Sequence, residues 1–232
     1  MVSPGRKIRS CVTVLLVAGA VIVPQSEASM LPGPPLHGKG RVYLLPLGEF
    51  PSAVLSQLVS YYKDKYDLTI ETLPPIELES AVFDPDRQQL IAEELIALMK
   101  RHYPALANDP EAVLIGLTQG DMYIQMFNWR FAFGFYDTAG RFGVISSARM
   151  DPAQFPRYKP RYVVVIRTFL RRFGLRFEEL SDSELLLSRI RKMTTRYIGL
   201  LHYRLSPRGT RKSVLYRSIL GIDDLDSIGE EF

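Results

Sequence analysis

The chain has 232 residues, of which 47% are hydrophobic, 23% charged and 11% aromatic. These proportions exclude a disordered tail, a collagen-like fibre and a multi-span membrane protein, and the length suits one domain or at most two small ones. One cysteine and three histidines (His37, His102 and His202) exclude a disulfide scaffold and a cysteine-rich metal cluster, and leave little for a histidine-built metal site.

The N-terminus reads as a targeting segment. Arg6, Lys7 and Arg9 precede an apolar run from Cys11 to Val23, followed by Pro24 and Ser26-Glu27-Ala28, with small residues at −3 and −1 of a cut after Ala28. The run spans roughly 20 Å as a helix, short of a ~30 Å hydrocarbon core, so a cleaved signal over 1–28 is expected. Its loss leaves 26 basic against 24 acidic residues, a net charge of +2. The pI of 9.1 therefore belongs partly to the segment, and no nucleic-acid partner is expected. The expectation is an exported protein, periplasmic or secreted. Membrane contact follows only if residues 11–23 are retained as an anchor.

Residues 29–40 are rich in Pro and Gly and read as a linker to a single domain over 41–232. Arg41–Leu47 is an apolar strand. Pro51–Tyr66 is an amphipathic helix with Val54, Leu55, Leu58, Val59 and Tyr62 on one face. Leu68–Leu73 alternates as a half-buried strand, and Asp86–His102 has the spacing of a second helix. Ala112–Leu117 is a continuous apolar run, as expected of a central strand covered on both faces. This β-α-β-α-β order predicts an α/β (α+β) fold. Phe131–Tyr136 and Phe142–Ser147 flank Asp137-Thr138-Ala139-Gly140, a hairpin signal. Residues 152–180 read as a basic insertion with helical spacing after Tyr162–Ile166. Ser181-x-x-Glu184 is a capping box ahead of a long helix with Leu186, Ile190, Met193, Tyr197 and Leu201 in its apolar stripe.

Several of these runs together resemble the archaemetzincin family of zinc metallopeptidases. They are Arg41–Leu47, Asp84-Pro85-x-Arg87-x-Gln89 on the second helix, Leu114–Tyr123, Asn128, Phe133-Gly134 and Val144–Met150. Ser213–Ser218 resembles the family's Cys-x-Met segment before the Met-turn. The resemblance covers roughly 40–150 and 185–232. It implies a metzincin-like mixed sheet with packed helices, an edge strand that binds extended peptide, and a long active-site helix. In active members that helix carries H-E-x-x-H-x-x-G-x-x-H, whose histidines grip zinc while the glutamate takes a proton from the bound water.

No H-E-x-x-H occurs in this chain. One register sets Gly199 on the motif's glycine and His202 on its last histidine, with Lys192 and Arg196 at the helical histidines and Met193 at the glutamate. A second puts Arg196, Leu200 and Ser206 at the ligand positions and Tyr197 at the base, and needs a smaller insertion before Ser213. Cationic or aliphatic side chains offer zinc no lone pair in either register. Leu215 stands at the Met-turn methionine, Ser213 at one position of the family's additional cysteine site, and the chain ends about where the next cysteines would begin.

Plainer roles suit most remaining candidates. His202 is read as capping carbonyls at a helix end, and His102 as a helix C-terminal cation. Asp121 and Asn128 are read as turn residues, and Asp223-Asp224-x-Asp226 as a helix start. Arg189, Arg191, Lys192 and Arg196 form a solvated face, or, if 192 and 196 line the old zinc cleft, a pocket for an anion. The expectation is a catalytically inactive homologue without cofactor. It binds an extended peptide or a protein partner along Phe142, Gly143, Val144, Ile145, Ser146 and Ser147. The alternative is a zinc-dependent peptidase with atypical ligands.

Overall fold

Strands covered on both faces carry apolar side chains at every position. Among the runs that behave this way, β1 (Val42–Pro46) and β5 (Val113–Thr118) are buried along their whole length. In the computed structural model, which describes residues 36, 38, 40–137, 139, 141–153 and 181–232, they pair in parallel at the centre of a five-stranded sheet. The expected signal segment, most of the linker including His37, and nearly all of the expected insertion lie outside the described residues.

The sheet order is β2-β1-β5-β8-β7, with β2 at Ile70–Thr72, β7 at Gly134–Asp137 and β8 at Phe142–Ser146. All pairs are parallel except β7 with β8, the expected hairpin. Alternation sorts the side chains to two cores. Val42 and Leu44 face one with Val113, Ile115 and Ile145, while Tyr43 and Leu45 face the other with Leu114, Phe142 and Val144. Helix α1 (Ser52–Tyr66) and the long helix α4 (Asp182–Tyr197) pack on the first face. Helix α2 (Ala92–His102) packs on the second, and the short α3 (Pro104–Ala107) follows it. The result is the mixed α/β architecture expected.

Two expectations are corrected. The second helix begins at Ala92 rather than Asp86, because residues 83–91 form a hairpin of β3 (Phe83–Asp84) and β4 (Gln89–Ile91). The Asp84 carboxylate accepts from the backbone N–H of Asp86 (3.0 Å) and Arg87 (3.1 Å), and Gln88 turns the chain at φ 54°. These local bonds compete with helix and win, since Pro85 already fixes the turn. The helical spacing of Leu90 and Ile91 instead reflects a strand running straight into α2. β4 also pairs in parallel with β6 (Met122–Tyr123), completing a second, three-stranded sheet.

The second correction concerns the peptide-binding edge. Phe142–Ser146 lies between β5 and β7 and is buried throughout, with Ser147 buried after it, so its ladder groups are already paired on both sides. The edge on this side of the sheet is β7, and β2 ends the other.

Helix α4 starts as predicted. Ser181 Oγ accepts from Glu184 N–H (3.2 Å), and the Glu184 carboxylate accepts from Ser181 N–H (2.7 Å). Ile190, Met193 and Tyr197 of the stripe are buried, and the chain continues through a buried π turn at Ile198–His202 that carries Leu201. Tyr62 of α1 ties to this helix: its hydroxyl donates to the Arg191 carbonyl (3.1 Å) and shares a hydrogen bond with Thr195 Oγ1 (2.8 Å).

The cations on α4 are mostly buried and paired rather than a solvated face. Arg189, 1% exposed, donates Nε and Nη2 to the two Asp226 oxygens (2.7 and 2.6 Å) and Nη1 to the Met150 carbonyl (2.6 Å). Asp226 lies on α5 (Ile222–Ser227), a helix whose first turn carries Asp223 and Asp224 as the sequence indicates. Arg191 pairs with Glu230 at 2.7 Å. Removing one partner from a buried pair strands a charge and costs about 3–5 kcal/mol, whereas replacing both with apolar groups is often neutral. Asp226→Ala should therefore lower the unfolding free energy by about 3–5 kcal/mol, and Arg189→Met with Asp226→Leu should recover at least about half of it, measured by chemical denaturation.

Candidate functional site

β7 opens onto a cleft of about 1090 Å³. One wall is the loop 124–133, another is the edge strand itself, and α4 and residues 217–220 complete it. The loop carries Met126, Phe127 and Trp129, which are 67%, 56% and 48% exposed, and Leu220, also on the lining, is 74% exposed. The Phe127 and Trp129 rings lie 5.5 Å apart. Asn128 turns between them at φ 49°, so it is a turn residue that also lines the cleft.

From α4, Met193, Arg196 and Tyr197 reach the cleft. Their approach depends on glycines: a Cβ at Gly143 would lie 2.6 Å from the Tyr197 ring, and one at Gly134 2.2 Å from its hydroxyl oxygen. Any larger residue would force the helix off the sheet. Tyr136 of β7 meets the Tyr197 ring edge to face at 5.4 Å. Burial pushes the Tyr197 hydroxyl far above the usual tyrosine range, so it keeps its proton and cannot act as a base near neutrality.

The other positions aligned with the zinc motif go elsewhere. Lys192 Nζ donates to the carbonyls of Leu225 (3.1 Å) and Asp226 (3.0 Å), at the C-terminal end of α5. Burial pulls its pKa down, an effect that Asp226 and Glu230 oppose. Leu200 is in the core, Ser206 is exposed, and Leu215 is fully buried, where a Cβ on Gly199 would lie 2.9 Å from its side chain. Arg196 Nη1 donates to the carbonyls on either side of Leu215, Val214 (3.1 Å) and Tyr216 (2.6 Å). In the first register Lys192, Arg196 and His202 thus have three separate destinations, and in the second Arg196, Leu200 and Ser206 do. Among the described residues no group of three or more His, Cys, Asp or Glu side chains could hold a metal ion. The residues at the motif positions do not fit zinc.

His202 is not a cap. It is 5% exposed, its Nδ1 has no hydrogen-bond partner among the described residues, and the Gly38 backbone lies against its ring. Asp121 is also more than a turn residue: it accepts Arg149 Nε and Nη2, both at 2.8 Å, and Gln89 Nε2 at 2.9 Å, which fixes the loop after β5. Sequence reasoning missed the apolar wall at 126–129, whose residues follow no strand or helix period. Its only signal was a cluster of large apolar side chains in a stretch otherwise reading as loop.

No protein-family model matches the chain, and no curated protein does. Solved structures do. Archaemetzincin from Archaeoglobus fulgidus, complexed with malonate, matches with a TM-score of 0.58 at 19% identity, over 83% of this chain and 94% of that one. Archaemetzincin from Methanopyrus kandleri gives 0.58 at 19% over 83% and 89%, and a zinc-dependent peptidase from Methanocorpusculum labreanum gives 0.59 at 17% over 82% and 95%. The fold is therefore archaemetzincin-like.

His202 generates a pH prediction. Burial, with the nearby Arg141 cation adding to it, pulls its pKa from 6.5 down to about 4. Between those values the unfolded chain takes up a proton that the folded one refuses. The contribution is thus complete above pH 6.5 and is lost as pH falls through about 4. Allowing for solvent screening, the wild type should lose about 1–2 kcal/mol more over this range than His202→Phe, followed by urea denaturation at each pH.

Proposed function

We propose that this chain is an exported, non-catalytic peptide-binding protein built on the archaemetzincin-like fold. The observation that carries the reading is Arg196: a permanently cationic side chain enters the cleft at a position that both sequence registers align with a zinc ligand. A guanidinium offers a metal ion repulsion and no lone pair, and Tyr197 beside it offers a proton rather than a base.

The peptide-binding half of the reading rests on what lies around that residue. β7 ends the sheet and lines the cleft, so its outer ladder groups suit an added strand, and the exposed side chains of Met126, Phe127, Trp129 and Leu220 suit apolar side chains alternating along it. Main-chain pairing supplies affinity in this mode and the walls supply selectivity.

A second reading, a zinc-dependent peptidase with atypical ligands, is favoured by one observation: the matching structures are archaemetzincins and a zinc-dependent peptidase. Elemental analysis of the purified full chain together with a peptide-hydrolysis assay separates the two. Non-catalytic binding predicts zinc well below one equivalent, no hydrolysis that a chelator abolishes, and a cooperative melt in metal-free buffer. One equivalent of zinc whose chelation stops hydrolysis would establish the peptidase instead.

A further inference from the structure

Arg196 is 8% exposed, and among the described residues no carboxylate pairs with it. Its Nη1 makes both carbonyl bonds, to Val214 and Tyr216, and its Nε–H and Nη2 hydrogens have no acceptor among the described residues. The ionisable groups that act on it are the neutral hydroxyls of Tyr197 and Tyr136, and burial pulls its pKa down without removing its charge. Its neighbours on α4 differ, since Arg189 and Arg191 each have a carboxylate. Three of its five N–H donors are thus unfilled, and they open to the cleft rather than into the core, where a ligand's acceptor can replace water.

The rest of the cleft supplies no internal answer. Its charged lining residues, among those described, are Arg130, Asp137, Arg196 and Arg217. The Asp137 carboxylate is held by Lys100 at 2.7 Å. The cleft therefore carries an excess of positive charge between apolar walls. The two idle N–H directions of a guanidinium, Nε and Nη2, form a planar edge that matches the two oxygens of a carboxylate.

We infer that Arg196 is a carboxylate-binding site, which on the peptide-binding reading above takes the terminal carboxylate or an acidic side chain of a peptide lying along β7. The carbonyls of Val214 and Tyr216 anchor the guanidinium through Nη1 and leave its Nε–Nη2 edge for the ligand. The ligand's negative charge takes the place that no side chain among the described residues fills. The apolar walls exclude water from the pair and strengthen it.

Three labelled octapeptides of alternating valine and threonine test this by fluorescence anisotropy on the full chain. One has a free C-terminal carboxylate, one is its amide, and one is the amide with a central glutamate. At least one of the two anionic peptides should bind about tenfold or more tighter than the neutral amide, and which one does identifies the source of the carboxylate. Arg196→Gln and Arg196→Lys should reduce that preference, Gln to none. The ligand-side comparison needs only the unaltered protein, so it holds even if a variant folds poorly. Equal binding of all three peptides would overturn the site and leave the peptide-binding reading standing. Should no peptide bind, 3-phenylpropanoate against 3-phenylpropanamide, followed at the Arg196 Nε–H resonance, decides the site alone. A shift with the acid only upholds the site and sinks the peptide reading, and no shift with either sinks both.

Discussion

A positive charge taken out of water must find an acceptor, and in this chain that demand organises the C-terminal third of the described structure. Helix α4 carries Arg189, Lys192 and Arg196 into the interior, each less than a tenth exposed. The acceptors come from the segment after the π turn: the Asp226 carboxylate, the carbonyls of Leu225 and Asp226, and the carbonyls of Val214 and Tyr216. Residues 213–230 follow their path because these groups must arrive where the cations are. The position of α5 and the wall of the cleft at 217–220 depend on this arrangement.

Much of the fold was legible because its signals are local or strongly periodic. The continuous apolar run at 112–117, the amphipathic spacing after Pro51, the capping box at Ser181 and the turn residues at 137–140 each specify an element without reference to the rest of the chain. The start of the second helix was lost where two local signals compete, and the Asp84 side chain prevails over the helical spacing of Leu90 and Ile91. The edge strand was assigned one strand too far inward. Order within a sheet is a tertiary property, and β7 and β8 share the same hairpin signal.

The candidate site was less legible. That Lys192, Arg196 and Leu200 are poor zinc ligands is legible from residue chemistry alone. Which of them faces a cleft is not, because four cations spaced along a helix look the same whether they meet solvent, carboxylates or carbonyls. Only the partners distinguish them: Asp226 and Glu230 claim Arg189 and Arg191, α5 claims Lys192, and Arg196 remains in the cleft. His202 is a similar case, since burial against Gly38 and Arg141 depends on chain segments far from it in sequence.

The length of β7 carries its own consequence. With four residues, it offers an added strand only about two main-chain hydrogen bonds, each contributing about 0.5–1.5 kcal/mol. So short a ladder cannot hold a ligand for long, and dwell time would be governed by whichever side chains lodge among the aromatics. On the peptide-binding reading proposed above, such a cleft would exchange its ligands quickly, a kinetic profile suited to transient contact rather than to permanent assembly.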